Sequence, residues 1–116
     1  MSYKEQLIWK KAINLAVQCY KLTEHFPQSE IYGITSQIRE SSLAIATNIT
    51  KSFREKEEIE YINFLDTALG AARGLDTQLI IAIKVELGKK EYISSVINDV
   101  EEIQKLLVSN INRLTN

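Results

Sequence analysis

The chain has 116 residues, of which 45% are hydrophobic and 25% charged, so it is large enough for one core and too small for two independent domains. This composition argues against intrinsic disorder. The formal net charge of −1 excludes a general attraction of the whole protein to nucleic acid or to an anionic membrane, so any such attraction must come from clustered cations.

Cysteine content and charge distribution bear on where the protein works. Cys19 is the only cysteine, so no disulfide can form within the chain and a reducing compartment is the simpler expectation. The apolar runs are short, and charged side chains interrupt the first eleven residues. We therefore expect neither a membrane span nor a signal peptide, and we expect a cytoplasmic protein.

Hydrophobic residues follow helical spacing in four segments, separated by breaks near Pro27 and Gly33, in the charged stretch 53–58, and at Gly88. The first segment, residues 4–25, has one apolar face formed by Ile8, Ala12, Leu15, Ala16, Cys19 and Leu22. The second repeats the pattern at Ile34, Ile38, Ser41, Ile45 and Ile49. Small side chains between these positions should permit close approach of a neighbouring helix; they are Ser42, Ala44 and Ala46.

The third segment is the longest and is apolar around much of its circumference. One stripe contains Ile59, Ile62, Leu65, Leu69, Ala72, Leu79 and Ile83, and a second contains Tyr61, Phe64, Ala68, Leu75 and Ala82. A helix inside one small bundle needs a single stripe about 100° wide. The wider coverage predicts that this helix is central or also buries surface against another subunit, so we expect a homo-oligomer. Gly88 suits the C-terminal cap of this helix.

The fourth segment carries apolar residues close to the spacing of a coiled-coil seam, at Ile93, Val96, Val100, Ile103, Leu107, Ile111 and Leu114. Short connections make consecutive helices pack antiparallel. The four segments together predict an all-α protein, an antiparallel up-down-up-down four-helix bundle that forms a single domain over residues 1–116.

The sequence shows no catalytic or metal-binding constellation. A di-iron site in a bundle needs Glu-x-x-His motifs on two helices, yet His25 is the only histidine and no Glu lies three residues before it. A zinc site is not expected either, because one cysteine and one histidine, Cys19 and His25, cannot supply the usual set of ligands. Cys19 lies on the apolar face of its segment, where a buried structural thiol is expected. We therefore expect no enzymatic activity, no metal and no cofactor.

The second segment is unusually rich in hydrogen-bonding side chains, namely Thr35, Ser36, Gln37, Arg39, Ser41, Ser42, Thr47, Asn48 and Thr50. Two interpretations are open. The side chains form a satisfied polar network that fixes the register of the bundle, with an N-terminal turn at Thr35 and Ser36, or they form a binding surface. Asp76, Thr77 and Gln78 on the third segment admit the same two interpretations.

Several motifs in register resemble the bacterial proteins encoded in intervening sequences of 23S ribosomal RNA genes, the S23 family. They cover nearly the whole chain: Leu7-Ile8-Trp9-Lys10-Lys11-Ala12, Phe26-Pro27, Tyr32-Gly33-Ile34-Thr35-Ser36-Gln37-Ile38-Arg39, Asn48-Ile49, Phe64-Leu65, Ala68-Leu69-Gly70 and Leu75-Asp76-Thr77-Gln78-Leu79. The chain departs from the family pattern at Thr50-Lys51-Ser52-Phe53-Arg54, where Ala-Glu-Gly and a basic residue are usual. It also departs at Arg73 and Gly74, where a small residue and Glu are usual.

The resemblance implies a homopentamer of four-helix subunits and kinship to the accessory protein of diversity-generating retroelements, which works with a reverse transcriptase and binds nucleic acid. It does not imply an enzyme. It leads to the hypothesis of a non-enzymatic, oligomeric accessory protein that binds RNA or DNA, with or without a protein partner, through cations repeated around the oligomer.

Four cations are our candidates for the nucleic-acid contact: Arg39, Lys51, Arg54 and Arg73. Taken singly, each is better explained as part of a solvated surface with local ion pairs, such as Arg73 with Asp76. The competing hypothesis is therefore a protein-interaction scaffold that makes no direct contact with nucleic acid. The two hypotheses differ in whether these cations converge once the helices have packed.

Overall fold

The structure is a computed structural model that describes residues 2–115. Four α-helices account for most of this part of the chain: α1 (Leu7–Thr23), α2 (Ile34–Ser52), α3 (Glu58–Lys84) and α4 (Lys90–Thr115). Short 3₁₀ turns at Tyr3–Glu5 and Gln28–Glu30 precede α1 and α2. Residues 2–115 contain no β-strand, so the predicted all-α fold is confirmed.

The four helices pack in the order in which they follow one another along the chain. α1 lies against α2 and α4, and α3 also lies against α2 and α4, as expected for an up-down-up-down bundle with short connections. α3 has 27 residues and α4 has 26, so each is about 40 Å long. This length matches the longest dimension of the molecule, 43 Å. The predicted four-helix bundle is therefore confirmed.

Apolar stripes from all four helices form the core. Its largest fully buried side chains are Leu15, Leu22, Ile38, Ile45, Ile49, Leu65, Leu75, Leu79, Ile93, Val96, Ile103 and Leu107. Two details differ from the sequence pattern. Ser42 is fully buried, whereas Ser41 is only partly covered, and Ile59 remains 67% exposed near the start of α3. Ser42 lies four residues after Ile38 and three before Ile45, so it is central on the buried face of α2. Ile59 lies in the first turn of α3, ahead of Leu65, the first residue that this helix buries.

Helix α1 is shorter than predicted, chiefly because it begins later. Residues 4–25 were expected to be helical, but the α-helix covers Leu7–Thr23 and a separate turn covers Tyr3–Glu5. This turn places the ring of Tyr3 5.9 Å from that of Trp9 and 6.1 Å from that of Phe53. Trp9 donates from Nε1 to Thr50 Oγ1 over 3.0 Å. The turn therefore closes one end of the α1–α2 interface.

The carboxyl end of α3 is capped by a residue that the sequence did not indicate. Glu86 adopts a left-handed conformation, with φ of 58°, and no glycine has positive φ. The amide of Leu87 donates to the Ala82 carbonyl over 3.0 Å, and that of Glu86 donates to the Ile83 carbonyl over 3.1 Å. These two bonds form a Schellman motif. The prediction that Gly88 caps the helix is wrong because the helix ends two residues too early for it.

Gly88 has a different structural role. A Cβ atom at this position would lie 3.1 Å from Cε1 of Phe26, which is itself buried. Such a distance is closer than ordinary carbon contacts, so the chain passes Phe26 most easily where there is no side chain. The glycine thus allows the α3–α4 connection to pack against the α1–α2 connection.

The left-handed Glu86 gives a first testable prediction. Glu86→Gly should stabilise the protein by about 0.5 to 1 kcal/mol, because glycine avoids the steric cost of this conformation but loses more entropy on folding. Urea denaturation measures the free energy of unfolding. Glu86→Ala is the control, since it removes the same carboxylate from the negative end of α3 but retains a Cβ. An equal gain in both variants would contradict the conformational explanation.

Candidate functional site

Arg39, the first of the predicted nucleic-acid contacts, is half-buried between α1 and α2. Its Nε donates to Thr23 Oγ1 over 2.9 Å, and its guanidinium carbon lies 4.9 Å from the centre of the Tyr20 ring. Thr23 in turn donates to the carbonyl of Cys19 over 2.7 Å. Arg39 is therefore part of the helix interface and does not extend freely into solvent.

The other three predicted contacts are exposed but lie in two separate places. Lys51 and Arg54 are near each other at the corner between α2 and α3. Arg73 lies fifteen residues beyond the start of α3, about 22 Å along the helix. Arg39 is twelve residues before Lys51, about 18 Å along α2. One subunit thus brings two of the four cations together and leaves Arg39 and Arg73 apart from that pair.

The local ion pair that would have neutralised Arg73 does not form. Asp76 Oδ2 instead accepts a hydrogen bond from Gln104 Nε2 over 3.2 Å, which ties α3 to α4. Within residues 2–115, the ion pair that does form joins Lys11 to Glu102. The exposed cations of the predicted set are thus unpaired in this part of the chain, although the corner segment 51–58 contains as many carboxylates as cations.

Three of the polar side chains that the sequence singles out on α2 bond locally. Ser42, Asn48 and Thr50 donate to the carbonyls of Arg39, Ala44 and Ala46 respectively. Two further bonds cross to α1, from Trp9 to Thr50 and from Arg39 to Thr23. These bonds favour the interpretation of a polar network that fixes the register. Thr35 is an exception, because its Oγ1 is buried and has no hydrogen-bond partner among the described residues.

Cys19 is fully buried on α1. Burial raises the pKa of its thiol to about 12, despite a hydrogen bond with Ser42 that opposes the shift. The thiol is therefore protonated at neutral pH and is a poor nucleophile. Among residues 2–115, no three His, Cys, Asp or Glu side chains are grouped closely enough to hold a metal ion.

An exposed apolar surface on α1 and α2 was missed by the sequence reasoning, which assigned the surplus apolar surface to the third helix alone. Its residues are Ile13, Val17, Tyr20 and Leu43, which we call the α1–α2 apolar patch. The first three share one face of α1, at spacings of four and three. That spacing is visible in the sequence, but a second apolar stripe beside the core stripe of α1 was not recognised there.

Leu43 belongs to this patch because of its position on α2. It lies four residues after Arg39 and seven before Thr50, so it shares the helix face that those residues turn towards α1. The two hydrogen bonds place Arg39 level with Thr23 and Thr50 level with Trp9. Leu43 lies between Arg39 and Thr50 on α2, so it lies near the level of Val17 on α1, at the middle of the patch.

The described helices include none that is long and apolar enough to cross a membrane.

The comparisons with known proteins agree with this architecture. The chain is 29% identical to a protein of unknown function from the S23 ribosomal protein family of Bacteroides thetaiotaomicron VPI-5482, whose crystal structure superposes with a TM-score of 0.82. The match covers 90% of this chain and 98% of that one. No curated protein matches. Residues 4–109 match the family described as 23S rRNA-intervening sequence protein, and the chain therefore belongs to that family.

Proposed function

We propose that this protein is a non-enzymatic interaction protein that assembles with copies of itself and acts as a scaffold. The observation that carries the proposal is the α1–α2 apolar patch, whose four side chains each expose between 37% and 45% of their surface. Contiguous apolar side chains on two adjacent helices are typical of protein–protein contacts, whereas scattered ones are not. The occupant that we propose for the patch is a second copy of the chain.

A second exposed apolar surface supports this choice of partner. It lies near the carboxyl end of α3 and consists of Ile80, Ile81 and Val85. A subunit with two different adhesive surfaces can make head-to-tail contacts, and such contacts form a closed ring when the rotation between subunits permits. A homo-oligomer is therefore proposed, and a pentamer is the ring that the family resemblance favours.

Replacing the central side chain of the patch tests self-association. Leu43→Glu should convert the oligomer to monomers, because burying an unpaired carboxylate at an apolar contact is strongly unfavourable. The substitution should change the free energy of unfolding of the subunit by only about 0.5 kcal/mol, since Leu43 is 45% exposed. Light scattering after size-exclusion chromatography measures the mass.

Leu7→Glu provides a matched control on α1. Leu7 is 61% exposed and lies outside the patch, so this variant should keep the mass of the wild type. A wild-type protein that is monomeric at tens of micromolar would refute self-association. A Leu43→Glu variant that remains oligomeric would refute the assignment of the patch as the contact surface.

Nucleic-acid binding is the second candidate function. It is favoured by the exposure of Lys51, Arg54 and Arg73 and by the absence of carboxylate partners for them among the described residues. Because the cations of one subunit lie far apart, binding would depend on their repetition around an oligomer. An accessory role beside a nucleic-acid enzyme, as in the retroelement proteins that the family resemblance points to, belongs to this candidate.

Salt dependence tests this second candidate. If several cations displace counterions from RNA or DNA, the logarithm of the affinity should fall with the logarithm of salt concentration, by about 0.7 to 0.9 per phosphate neutralised. Joint replacement of Lys51, Arg54 and Arg73 by Glu should weaken binding and flatten this slope. Fluorescence anisotropy with a labelled single-stranded oligonucleotide measures both quantities.

The control variant replaces three other exposed cations, Lys84, Lys89 and Lys90, by Glu. It changes the net charge by the same amount as the first variant. If nucleic-acid binding depends on where the cations lie as well as on the total charge, the control variant should bind the oligonucleotide more tightly than the first variant. Equal binding by the two variants, or no binding by the wild type at low salt, would leave the scaffold function alone. All proteins are compared at the same oligomeric state.

A further inference from the structure

A small pocket lies between the end of α1, the α1–α2 connection and the start of α2. Its volume is about 100 Å³, and its polar lining includes Thr23, Thr35 and Arg39. Phe26 and Pro27 form part of its apolar wall. This volume equals that of about three water molecules in the liquid, so the pocket has room for one small polyatomic ion.

Thr35 gives the first indication of a ligand. The residue is only 3% exposed, and its Oγ1 is buried without a hydrogen-bond partner among residues 2–115. Buried hydroxyl groups in folded proteins almost always have a partner, since leaving one unpaired is unfavourable. Because Thr35 lines the pocket, its missing partner is best placed there.

Arg39 supplies a positive charge to the same pocket. Its Nε donates to Thr23 Oγ1 and its guanidinium carbon lies over the Tyr20 ring, so α1 holds the group in place. Its two terminal nitrogens have neither an ion-pair partner nor a hydrogen-bond acceptor in the described chain. A guanidinium fixed in this way has donors left for the oxygens of an anion.

The amino end of α2 adds a third favourable group. No side chain caps this helix, whose N-cap is Gly33, and its first amide bond runs from Gln37 to the Gly33 carbonyl. The preceding amides, including those of Thr35 and Ser36, have no acceptor within the helix. Free amides and the positive end of the helix dipole both favour an anion beside Thr35.

We propose that this pocket binds one phosphate group. Its donors are a hydroxyl, a guanidinium and a helix amide, and the oxygens of a phosphate offer more acceptors for such a set than those of a carboxylate. The proposal does not depend on self-association, because every contributing group belongs to one subunit. The phosphate comes either from a small molecule or from a nucleic-acid backbone, and the two sources share the same chemistry.

Glu24 also lines the pocket and opposes anion binding. Its carboxylate forms no ion pair with Arg39. The electrostatic effect of Glu24 can therefore be removed without breaking a contact of the guanidinium. Glu24→Gln should tighten phosphate binding, whereas a surface carboxylate remote from a site would have little effect.

Titration with inorganic phosphate, followed by amide NMR and referenced to chloride at equal ionic strength, tests the proposal. Saturable shifts are expected at the amides of Thr35 and Ser36 and at Arg39 Nε. Thr35→Val keeps the shape of the side chain and removes only the hydroxyl, so it should weaken binding by about tenfold, the effect of one hydrogen bond to a charged group. Thr47→Val, at an exposed position of the same helix, should bind like the wild type.

Thermal melts give an independent measurement for every variant that folds. Phosphate should raise the melting temperature of the wild type and of Thr47→Val, and should raise that of Thr35→Val much less. A single-stranded RNA oligonucleotide that shifts the same amides would identify the backbone as a source, and shifts with inorganic phosphate alone would identify a small phosphate. Absence of saturable shifts in the wild type, or equal affinity of Thr35→Val, would overturn the proposal.

Discussion

Two hydrogen bonds fix how α1 lies along α2: Trp9 donates to Thr50 near one end, and Arg39 donates to Thr23 near the other. Hydrophobic burial has no preferred direction, so apolar stripes of Ile, Leu and Ala could pack at more than one relative height. The side-chain donors remove this freedom because each reaches its acceptor at only one register. The positions of the core, the apolar patch and the pocket beside Thr35 all depend on that register.

The hydrogen bond from Arg39 to Thr23 also changes the role that can be assigned to Arg39. A guanidinium on a half-buried side chain, placed over the Tyr20 ring and hydrogen-bonded to Thr23, cannot act as a flexible surface cation. It is instead a fixed charge beside an unpaired threonine hydroxyl. Its expected ligand is accordingly a single anionic group that enters a pocket, and not an extended polyanion that lies across an open surface.

The remaining surface favours association with protein over binding to nucleic acid. The exposed cations are spread along the molecule, and those at the α2–α3 corner lie among an equal number of carboxylates. Exposed apolar residues, by contrast, include two local groups, the α1–α2 apolar patch and the surface near the carboxyl end of α3. In the ring that we propose, subunits would repeat every cation at fixed intervals, so a protein-interaction function and a nucleic-acid function would be compatible.

The sequence by itself determined the helical fold, because stripes such as Ile38, Ile45 and Ile49 follow one period. Pro27, Gly33 and Gly88 mark breaks between the helical segments. It also indicated that Cys19 is a core thiol. Only the tertiary structure decided that Glu86, not Gly88, caps α3, and that Arg39 faces α1. A helical pattern specifies which residues share a face of the helix. The rotation of each helix against its neighbours decides which residues that face contacts. That rotation depends on contacts between residues distant in the chain, so the sequence pattern alone does not reveal it.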